Sequence, residues 1–450
     1  MRLLLVGAFP YPQNHGSQIY FQEQAIALRS LGAEITLLTY GTGRPPPRLV
    51  QSTSTDRLAA GQRPEARSGT IREIEVAEYW RVLDGFEHFA SPKWTSPASL
   101  RSGPSWAKPL ADFGLIMTLR NALASQSRHN AFDAILTHNG EATLAALRWL
   151  PRPRPPIIYC AHTLLGKELS TYLKCPKKRD FSNNSIGRKG LGATSWVLDR
   201  IGSRIDRLLA SGADGWIALT RSAECVMRHF SDAPGALIAP AVPDPLLSAH
   251  AVEAGATARA NGLEPGRFFL YSGNLDAYQE VDILAAVARS RAVDAGPGRG
   301  RDLPLVIASH SPRSTSGRLD EPSGIEFLQV DSLAEMQALL ASARASLLMR
   351  RTEGGFPIKL VNSLAVGTPA IAFHGPEWGL EHEHNSLICS PERPALSMAA
   401  AIDRLQKSDD LRARLARGAR SLYLDRHQPV PTATQTLELV EEVCRRHRSG

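Results

Sequence analysis

The amino-acid sequence predicts an α/β protein built from two doubly wound, Rossmann-like domains that face each other across a cleft. Short apolar runs, typical of strands buried on both faces of a sheet, alternate with segments of helical spacing along most of the 450 residues. A segment rich in Pro, Ala and Gly at 241–266 interrupts this alternation, which then starts again. We therefore expect an N-terminal domain over 1–240 and a C-terminal domain over 267–425. A tail over 426–450 is expected to pack back on the N-terminal domain.

A strand–helix–strand unit opens the N-terminal domain. Residues 3–6 and 35–39 form two apolar runs. Between them, Ser17 is a suitable N-cap for a helix that extends to Gly32. Residues 41–130 contain polar stretches and three consecutive prolines, so long loops or a partly helical excursion are expected there. The alternation then returns, with strands at 132–137, 157–160, 215–220 and 236–240 and a helix at 141–150.

The C-terminal domain repeats this alternation. Its predicted helix covers 281–292, and its predicted strands lie at 268–272, 305–309, 325–328, 345–349 and 370–373. In the N-terminal domain, the basic segment 175–192 is predicted to form a mobile surface loop. Because ligands of such sheets bind beyond the carboxyl ends of the strands, the functional site is expected in the cleft.

Composition and charge narrow the possible partners. The 52 basic and 44 acidic residues leave a net charge of +8, which suits an anionic substrate, a membrane surface or nucleic acid. No zinc-finger spacing and no basic–aromatic pattern supports nucleic acid. The five cysteines form no CxxC pair, and no run of 18 apolar residues occurs. We expect a cytoplasmic protein, with peripheral contact to the inner face of the membrane left open.

The clearest ligand-binding pattern follows a predicted strand of the second domain, in the sequence RRTEGGFPIKLVNSLAVGTP. Gly354 and Gly355 allow close backbone approach to a ligand, and Pro357 is tolerated in the first turn of a helix. Backbone N–H groups at that helix start attract an anion, and Lys359 adds a positive charge. Asn362 shares a helix face with Lys359 and is suited to bind a sugar hydroxyl. The alternative is an ordinary strand–loop–helix with a solvated lysine; the combination favours a phosphate site.

Polar residues also follow strands of the first domain. One strand is followed by His138, Asn139 and Glu141, which are expected to line an acceptor site. The alternative for Glu141 is a helix N-terminal residue that the helix dipole favours. His162 follows another strand, and a lone histidine there is more often structural than catalytic. The C-terminal Arg445–Arg448 is predicted to be a frayed basic end, with contact to an anionic membrane as the less favoured alternative.

The stretch from Arg350 resembles the C-terminal signature of retaining glycosyltransferases of family 4, which have the GT-B fold. Further similar segments are GAFPYPQNHGSQIYFQEQAIALRSLGAEITLLTYG, GPSWAKPLADFGL, FDAILTHNGEATLAAL, YCAHTLLGKELSTY, YSGNLDAYQEVDIL and NSLICSPERPALSMAAAIDRL. The resemblance implies metal-independent, cofactor-free transfer of a sugar from a GDP or UDP sugar. The implied acceptor is a small molecule or a glycoconjugate of natural-product or cell-envelope biosynthesis. A non-catalytic sugar-nucleotide-binding scaffold, or an epimerase or hydrolase on the same fold, remains an alternative.

Pattern and resemblance together assign roles to individual residues. The candidate catalytic residues are His162, Lys359 and Glu353. The candidate donor-binding residues are Gly16, Ser17, Asn274, Gln279, Val330, Arg351, Gly354, Gly355, Phe356 and Asn362. The candidate acceptor-binding residues are His138, Asn139, Glu141 and Glu168. No metal-binding residues are predicted.

The sequence departs from the family pattern at two carboxylates. The family usually has two glutamates eight positions apart, and this chain has Gly354 and Asn362 there, with Glu353 displaced by one. Reduced donor affinity, an unusual donor and loss of activity are each compatible with this change.

The family's basic residues in the loop that opens the second domain are also replaced. Asn274 and Gln279 stand where an arginine and a lysine are usual. Lys359 is then the main remaining positive charge for a diphosphate, with Arg350 or Arg351 as possible helpers.

Overall fold

A computed structural model of the chain describes twelve segments. They are residues 1–11, 16–41, 86–95, 107–125, 131–166, 188–247, 254–275, 279–294, 302–310, 324–330, 332–351 and 355–449, without the side chains of 188–195, 254 and 292–294. These segments form two separate parallel sheets flanked by helices. The predicted fold class is therefore confirmed.

The first sheet has seven parallel strands in the order β3-β2-β1-β4-β5-β6-β7. Its strands are β1 (Arg2–Pro10), β2 (Glu34–Tyr40), β3 (Glu87–Ala90), β4 (Ala134–His138), β5 (Ile157–Ala161), β6 (Gly215–Ala218) and β7 (Gly235–Leu237). Residues of β1 are almost entirely buried because helices cover both faces of the sheet. The strand order reverses between β1 and β4, where Val6 pairs with Thr137. Such a reversal opens a crevice at the carboxyl ends of the strands.

Five helices of the described chain belong to the first half of the sequence. They are α1 (Gly16–Ser30), α2 (Lys108–Ala124), α3 (Gly140–Trp149), α4 (Arg188–Gly212) and α5 (Arg221–Phe230). Helix α1 packs on one face of the first sheet, whereas α2, α3, α4 and α5 pack side by side on the other. The carboxyl edge of the sheet between these layers faces the second domain.

The second sheet has six parallel strands in the order β10-β9-β8-β11-β12-β13. Its strands are β8 (Phe269–Ser272), β9 (Leu305–Ser309), β10 (Ile325–Gln329), β11 (Ala345–Leu347), β12 (Ala370–Ala372) and β13 (Ser386–Ile388). The helices around it are α6 (Ala254–Ala260), α7 (Asp282–Asp294), α8 (Leu333–Ser342), α9 (Ile358–Ala365), α10 (Pro394–Lys407) and α11 (Asp409–Arg426). The order again reverses beside the first strand, between β8 and β11.

The chain crosses between the two domains twice. At the first crossing, the Val242 carbonyl accepts a hydrogen bond of 2.9 Å from the Tyr423 hydroxyl, and Asp244 forms an ion pair with Arg420. At the second, helix α12 (Pro429–Ser449) leaves the end of α11 and packs against α1. Apolar residues of α12 join the core beneath the first sheet, and the Cys444 thiol contacts the Asp133 carbonyl at 3.4 Å.

Several predicted boundaries differ from the structure. Helix α1 begins at Gly16, so Ser17 lies inside the helix and is not its N-cap. The predicted linker contains α6, whose Ala258 is buried against α8. The segment 188–192, predicted as part of a loop, belongs to the long helix α4. Between 41 and 130, the structure describes one strand, a single 3-10 turn at Lys93–Thr95 and the helix α2.

No helix among the described residues is long and apolar enough to cross a bilayer.

Candidate active site at the domain cleft

Two histidines meet at the carboxyl edge of the first sheet. His138 ends β4 and His162 follows β5, and Nδ1 of His138 lies 2.9 Å from Nε2 of His162. His138 is fully buried, and His162 keeps 6% of its surface exposed. The ring of Tyr20, from α1, stands edge-on to His162 with 5.0 Å between the ring centroids. Neighbouring parallel strands therefore bring together two imidazoles that are 24 positions apart.

Both imidazoles are neutral near pH 7. Burial lowers the pKa of His162 to about 3, and burial followed by the neighbouring His162 lowers the pKa of His138 well below its ordinary value. Among the described residues, Nε2 of His138 has no hydrogen-bond partner. An unpaired acceptor costs less than a buried orphan N–H, so we assign the His138 proton to Nδ1, which donates to His162. His162 then carries its own proton on Nδ1.

The two domains touch at the start of α9. Gly355 has a φ of +52°, and a Cβ atom there would lie 2.6 Å from Cγ2 of Thr163 and 2.9 Å from the His162 carbonyl oxygen. Only glycine fits this approach without displacement. Gly16, at the start of α1, lies against Ile358, with 3.5 Å between a Cβ at Gly16 and Cγ1 of Ile358. The N-termini of α1 and α9 therefore border the same cleft as His162.

Lys359 is a half-buried cation one residue inside α9. Its Nζ donates to Oε1 of Gln279 at 2.7 Å and to the Tyr271 hydroxyl at 3.3 Å. The same ammonium lies 4.3 Å from the centroid of the Tyr271 ring, a cation–π contact. Burial, and secondly the charge of Arg350, lower the pKa of Lys359 to about 7. Among the described residues, no carboxylate forms an ion pair with Lys359, so the ammonium is available to an anionic ligand.

Arg351 is held by a carboxylate rather than directed freely into the cleft. Its backbone N–H donates to Oε2 of Glu280 at 2.7 Å, and its guanidinium donates twice to Oε1 at 2.6 and 3.0 Å. Glu280 adopts a positive φ of +53°. Nearby, the carbonyl of Asn274 accepts a hydrogen bond of 2.6 Å from Tyr271. The loops after β8 and β11 are thus tied together around Lys359.

The other predicted donor residues occupy different surroundings. Ser17 is exposed beside Gly16, and Asn362 is buried on α9. The ring of Phe356 lies 5.3 Å from that of His427, at the second crossing between the domains. The side chain of Val330 is fully buried in the core beneath β10, so only its backbone is near the strand ends. Glu353, Gly354 and Glu168 lie outside the described residues.

The predicted acceptor residues line the first domain near His138. Asn139 caps α3, since its Oδ1 accepts from the Ala142 N–H at 3.4 Å. Glu141, in the first turn of α3, forms an ion pair of 2.5 Å with Lys108 from the start of α2. Within the described segments, no group of three or more His, Cys, Asp or Glu side chains is placed to hold a metal ion.

Sequence reasoning missed three residues of this site: Tyr20, Tyr271 and Glu280. Tyr271 lies near the carboxyl end of β8, so the rule that strand ends line the site could have found it. Tyr20 and Glu280 reach the site through contacts between distant segments, and neither has a local signal in the sequence.

Two sequence profiles of protein families match the chain. The profile described as a glycosyl transferase 4-like domain matches residues 15–234, and the profile described as glycosyl transferases group 1 matches residues 266–408. A search among curated proteins found no matching relative.

Solved structures share the fold at low sequence identity. Sucrose-phosphate synthase from Thermosynechococcus elongatus superimposes with a TM-score of 0.68 at 16% identity, over 98% of both chains. HepE from Anabaena, solved with UDP-glucose, gives 0.62 at 13% identity, over 98% of this chain and 100% of that chain. UDP-N-acetylglucosamine 2-epimerase from Rickettsia bellii superimposes with a TM-score of 0.55 at 12% identity, over 99% of this chain and 97% of that chain. At such identities the likeness shows the fold alone, two Rossmann-like domains in the GT-B arrangement.

The group 1 profile covers all six strands of the second sheet, and the 4-like profile covers β2 to β6 of the first sheet. Together they cover most of the chain. The chain therefore belongs to the glycosyl transferases that these profiles describe.

Proposed function

We propose that the protein is a retaining glycosyltransferase that binds the diphosphate of a nucleotide sugar at the N-terminus of α9. The observation that carries this proposal is the half-buried ammonium of Lys359 beside that helix start. The N-cap residue, Pro357, provides no side-chain acceptor, and its carbonyl accepts a hydrogen bond of 2.9 Å from the Leu360 N–H. The N–H groups of Ile358 and Lys359, in the first turn, are then the donors for an anion. A positive charge and a helix N-terminus at one place suit a diphosphate.

The position of Lys359 accounts for the loss of the family's lysine at Gln279. Its Nζ lies 2.7 Å from Oε1 of Gln279, so the charge reaches the loop after β8 from α9. Glu280 holds Arg351 in an ion pair, whereas the contacts of Lys359 with the described part of the chain include no carboxylate. This arrangement supports donor binding through one relocated lysine.

His162 is the candidate contact for the sugar. Its backbone carbonyl lies within contact distance of the loop that precedes α9, as the approach at Gly355 requires. With its proton on Nδ1, neutral His162 acts as a hydrogen-bond donor to a sugar hydroxyl. His138 positions it by holding the other ring nitrogen.

In this proposal, the acceptor attacks the anomeric carbon on the face that the leaving diphosphate vacates, so the configuration of the sugar is retained. The bond from the anomeric carbon to the diphosphate breaks, and the bond to the acceptor forms on the same face. The acceptor proton passes to a phosphate oxygen. Lys359 and the N–H groups of α9 stabilise the negative charge that develops on the leaving diphosphate. Closure of the cleft excludes water and so limits hydrolysis.

UDP-glucose is the first donor to test, because the HepE structure contains it; GDP sugars come next. At a concentration of about 100 times the dissociation constant, a ligand adds about 2.7 kcal/mol to the free energy of unfolding. We expect a thermal shift with one nucleotide sugar, lost in Lys359→Ala and kept in the control Lys407→Ala. Lys407 is an exposed lysine on α10. Equal shifts in both variants would refute the role of Lys359.

The stereochemistry can be tested without knowing the acceptor. Slow hydrolysis of a UDP-α-sugar, followed by proton NMR before the free sugar equilibrates, should release the α-anomer first. Release of the β-anomer would contradict retention, even if donor binding is confirmed.

A second candidate, an epimerase, is suggested by the fold shared with UDP-N-acetylglucosamine 2-epimerase. An epimerase would change the sugar of UDP-N-acetylglucosamine without releasing free UDP over the course of the NMR experiment. A scaffold without activity would bind the nucleotide sugar and leave it unchanged. Release of UDP together with the α-sugar separates the transferase from both alternatives.

A further inference from the structure

Exposed apolar side chains are concentrated on three neighbouring helices of the first domain. More than half of the large apolar side chains exposed in the described residues belong to α2, α3 and α4. They are Leu110, Phe113, Met117, Leu144, Trp149, Trp196, Val197, Ile201 and Leu208, which we call the α2–α4 surface. Phe113 is 51% exposed and Trp196 is 57% exposed. Scattered apolar residues are ordinary on a protein surface, but nine large ones on three adjoining helices indicate a binding surface.

The exposed charges on the same helices all have one sign. Among the described side chains of α2, α3 and α4, the exposed charged residues are Arg120, Arg148, Arg200, Arg204 and Arg207. The acidic residues there are half-buried or buried. Glu141 is paired with Lys108, and Asp206 accepts hydrogen bonds from two backbone N–H groups. The α2–α4 surface therefore presents arginine and apolar groups together, without an exposed carboxylate.

The three helices lie side by side on one face of the first sheet, with α3 packed between α2 and α4. The opposite face is covered by α1 and α12. The predicted basic end at Arg445–Arg448 belongs to α12 and so lies away from the α2–α4 surface. The apolar and basic residues of the α2–α4 helices thus lie on one side of the domain.

The surface also adjoins the cleft. Gly202 of α4 packs against Gly166, which lies shortly after β5; a Cβ at Gly202 would be 2.6 Å from the Gly166 backbone. The turns of α4 that precede Gly202, including Trp196 and Arg200, therefore extend beyond the carboxyl edge of the sheet. The guanidinium carbon of Arg200 lies 4.8 Å from the centre of the Trp196 ring. An aromatic ring beside an arginine is a pair that suits a membrane–water interface.

We propose that the α2–α4 surface docks on an anionic lipid bilayer. Arginines of one sign match the negative headgroups, and the exposed apolar side chains can enter the boundary between headgroups and acyl chains. A symmetric contact with a second copy would bring five arginines against the same five, which opposes dimerisation through this face. Docking places the turns of α4 that extend beyond the carboxyl edge of the first sheet, with Trp196 and Arg200, at the lipid surface. The interaction does not depend on nucleotide binding.

Sedimentation with lipid vesicles tests this proposal without a substrate. The full chain should sediment with phosphatidylcholine vesicles that contain about 30 mol% phosphatidylglycerol, and not with phosphatidylcholine alone. Binding should be lost in about 0.5 M NaCl because salt screens the arginine–headgroup attraction. Absence of sedimentation with the anionic vesicles at low salt would overturn the proposal.

Two double variants test the surface itself. Arg200→Gln with Arg204→Gln should weaken vesicle binding about thirtyfold, and Phe113→Ser with Ile201→Ser at least about tenfold. Exposed residues of the second domain provide the controls. The arginine control is Arg414→Gln with Arg417→Gln on α11, and the apolar control is Leu396→Ser on α10. Both controls should bind vesicles as the unchanged chain does.

The exposed positions of these side chains should leave the fold intact, which melting curves of each variant verify. Equal binding of surface variants and controls would refute the assignment of the surface. A second result would also refute it: no vesicle binding, together with a concentration-dependent dimer that Phe113→Ser with Ile201→Ser disrupts. That result would assign the surface to contact with a second copy of the chain.

Discussion

The affinity for a nucleotide diphosphate sugar should fall as pH rises through neutrality, because Lys359 loses its proton. Burial, with the charge of Arg350 as the second cause, lowers the pKa of Lys359 to about 7 in the free protein. A diphosphate binds the charged ammonium, so binding must take up a proton wherever the free lysine is neutral. The phosphates of a nucleotide sugar are diesters that do not titrate near neutral pH, so the diphosphate itself contributes no pH dependence.

The expected size follows from the population of charged Lys359. With a pKa of about 7, roughly nine-tenths of the free protein carries the charge at pH 6, and about 3% carries it at pH 8.5. If only the charged form binds the diphosphate tightly, the apparent Kd rises about thirtyfold between these values, which corresponds to about 2 kcal/mol. A lysine with its ordinary pKa would produce no change over this range.

Isothermal titration calorimetry of UDP-glucose binding at several pH values measures this effect. Repeating the titration at pH 8 in buffers of different ionisation enthalpy counts the protons taken up, for which we expect nearly one. Lys359→Arg keeps its charge at every pH, so its affinity should be independent of pH. A flat profile for the unchanged chain, or an equally steep one for Lys359→Arg, would refute the assignment of the titration to Lys359.

Three further predictions concern the cleft and the second crossing between the domains. Gly355→Ala should lower donor turnover at least about tenfold in a hydrolysis assay, because its methyl group collides with Thr163 and displaces the loop before α9. Gly262→Ala, with a φ of +75° and open space around it, should cost only about 1 kcal/mol in urea unfolding and leave turnover unchanged. Burial lowers the pKa of His427 to about 4, so the unfolded chain binds more protons below about pH 6.5 and stability falls as pH falls. Between pH 7.5 and 5 this loss is about 2 kcal/mol, and urea unfolding of His427→Leu should show a correspondingly smaller drop. His138→Phe should lower kcat about tenfold with little change in KM, and His138→Gln, which keeps a hydrogen-bond donor, should recover part of the lost kcat. Equal kinetics for the unchanged chain and both variants would exclude a positioning role for His138.

The sequence predicted much of the fold because parallel strands buried on both faces are continuous apolar runs. Strands β4 and β5 were predicted close to their observed bounds, whereas β1, predicted at 3–6, extends to Pro10. The carboxyl ends of β4 and β5 then identified His138 and His162 as neighbours of a possible site. Their direct hydrogen bond depends on the pairing register of the strands and the side-chain directions, which apolar patterning does not report.

Contacts between distant segments were the part that could not be predicted. The ion pair of Arg351 with Glu280 joins positions 71 apart, and the bond of Lys359 to Gln279 joins positions 80 apart. Each depends on how two loops of the second domain pack, and neither residue pair has a local motif. The helix α6 inside the predicted linker was missed for a related reason, since its short alanine-rich sequence becomes helical by packing against α8.

The return of α12 to the first domain has a consequence for folding during synthesis. Val443 and Cys444 of this helix pack beneath the first sheet, and Val443 lies so close to Gly215 that a Cβ there would be 2.5 Å away. The first domain therefore lacks part of its core until the ribosome has translated the entire second domain and α12. While the second domain and α12 are being translated, one face of the seven-stranded sheet stays partly uncovered. This apolar face is a surface to which a chaperone can bind on the nascent chain.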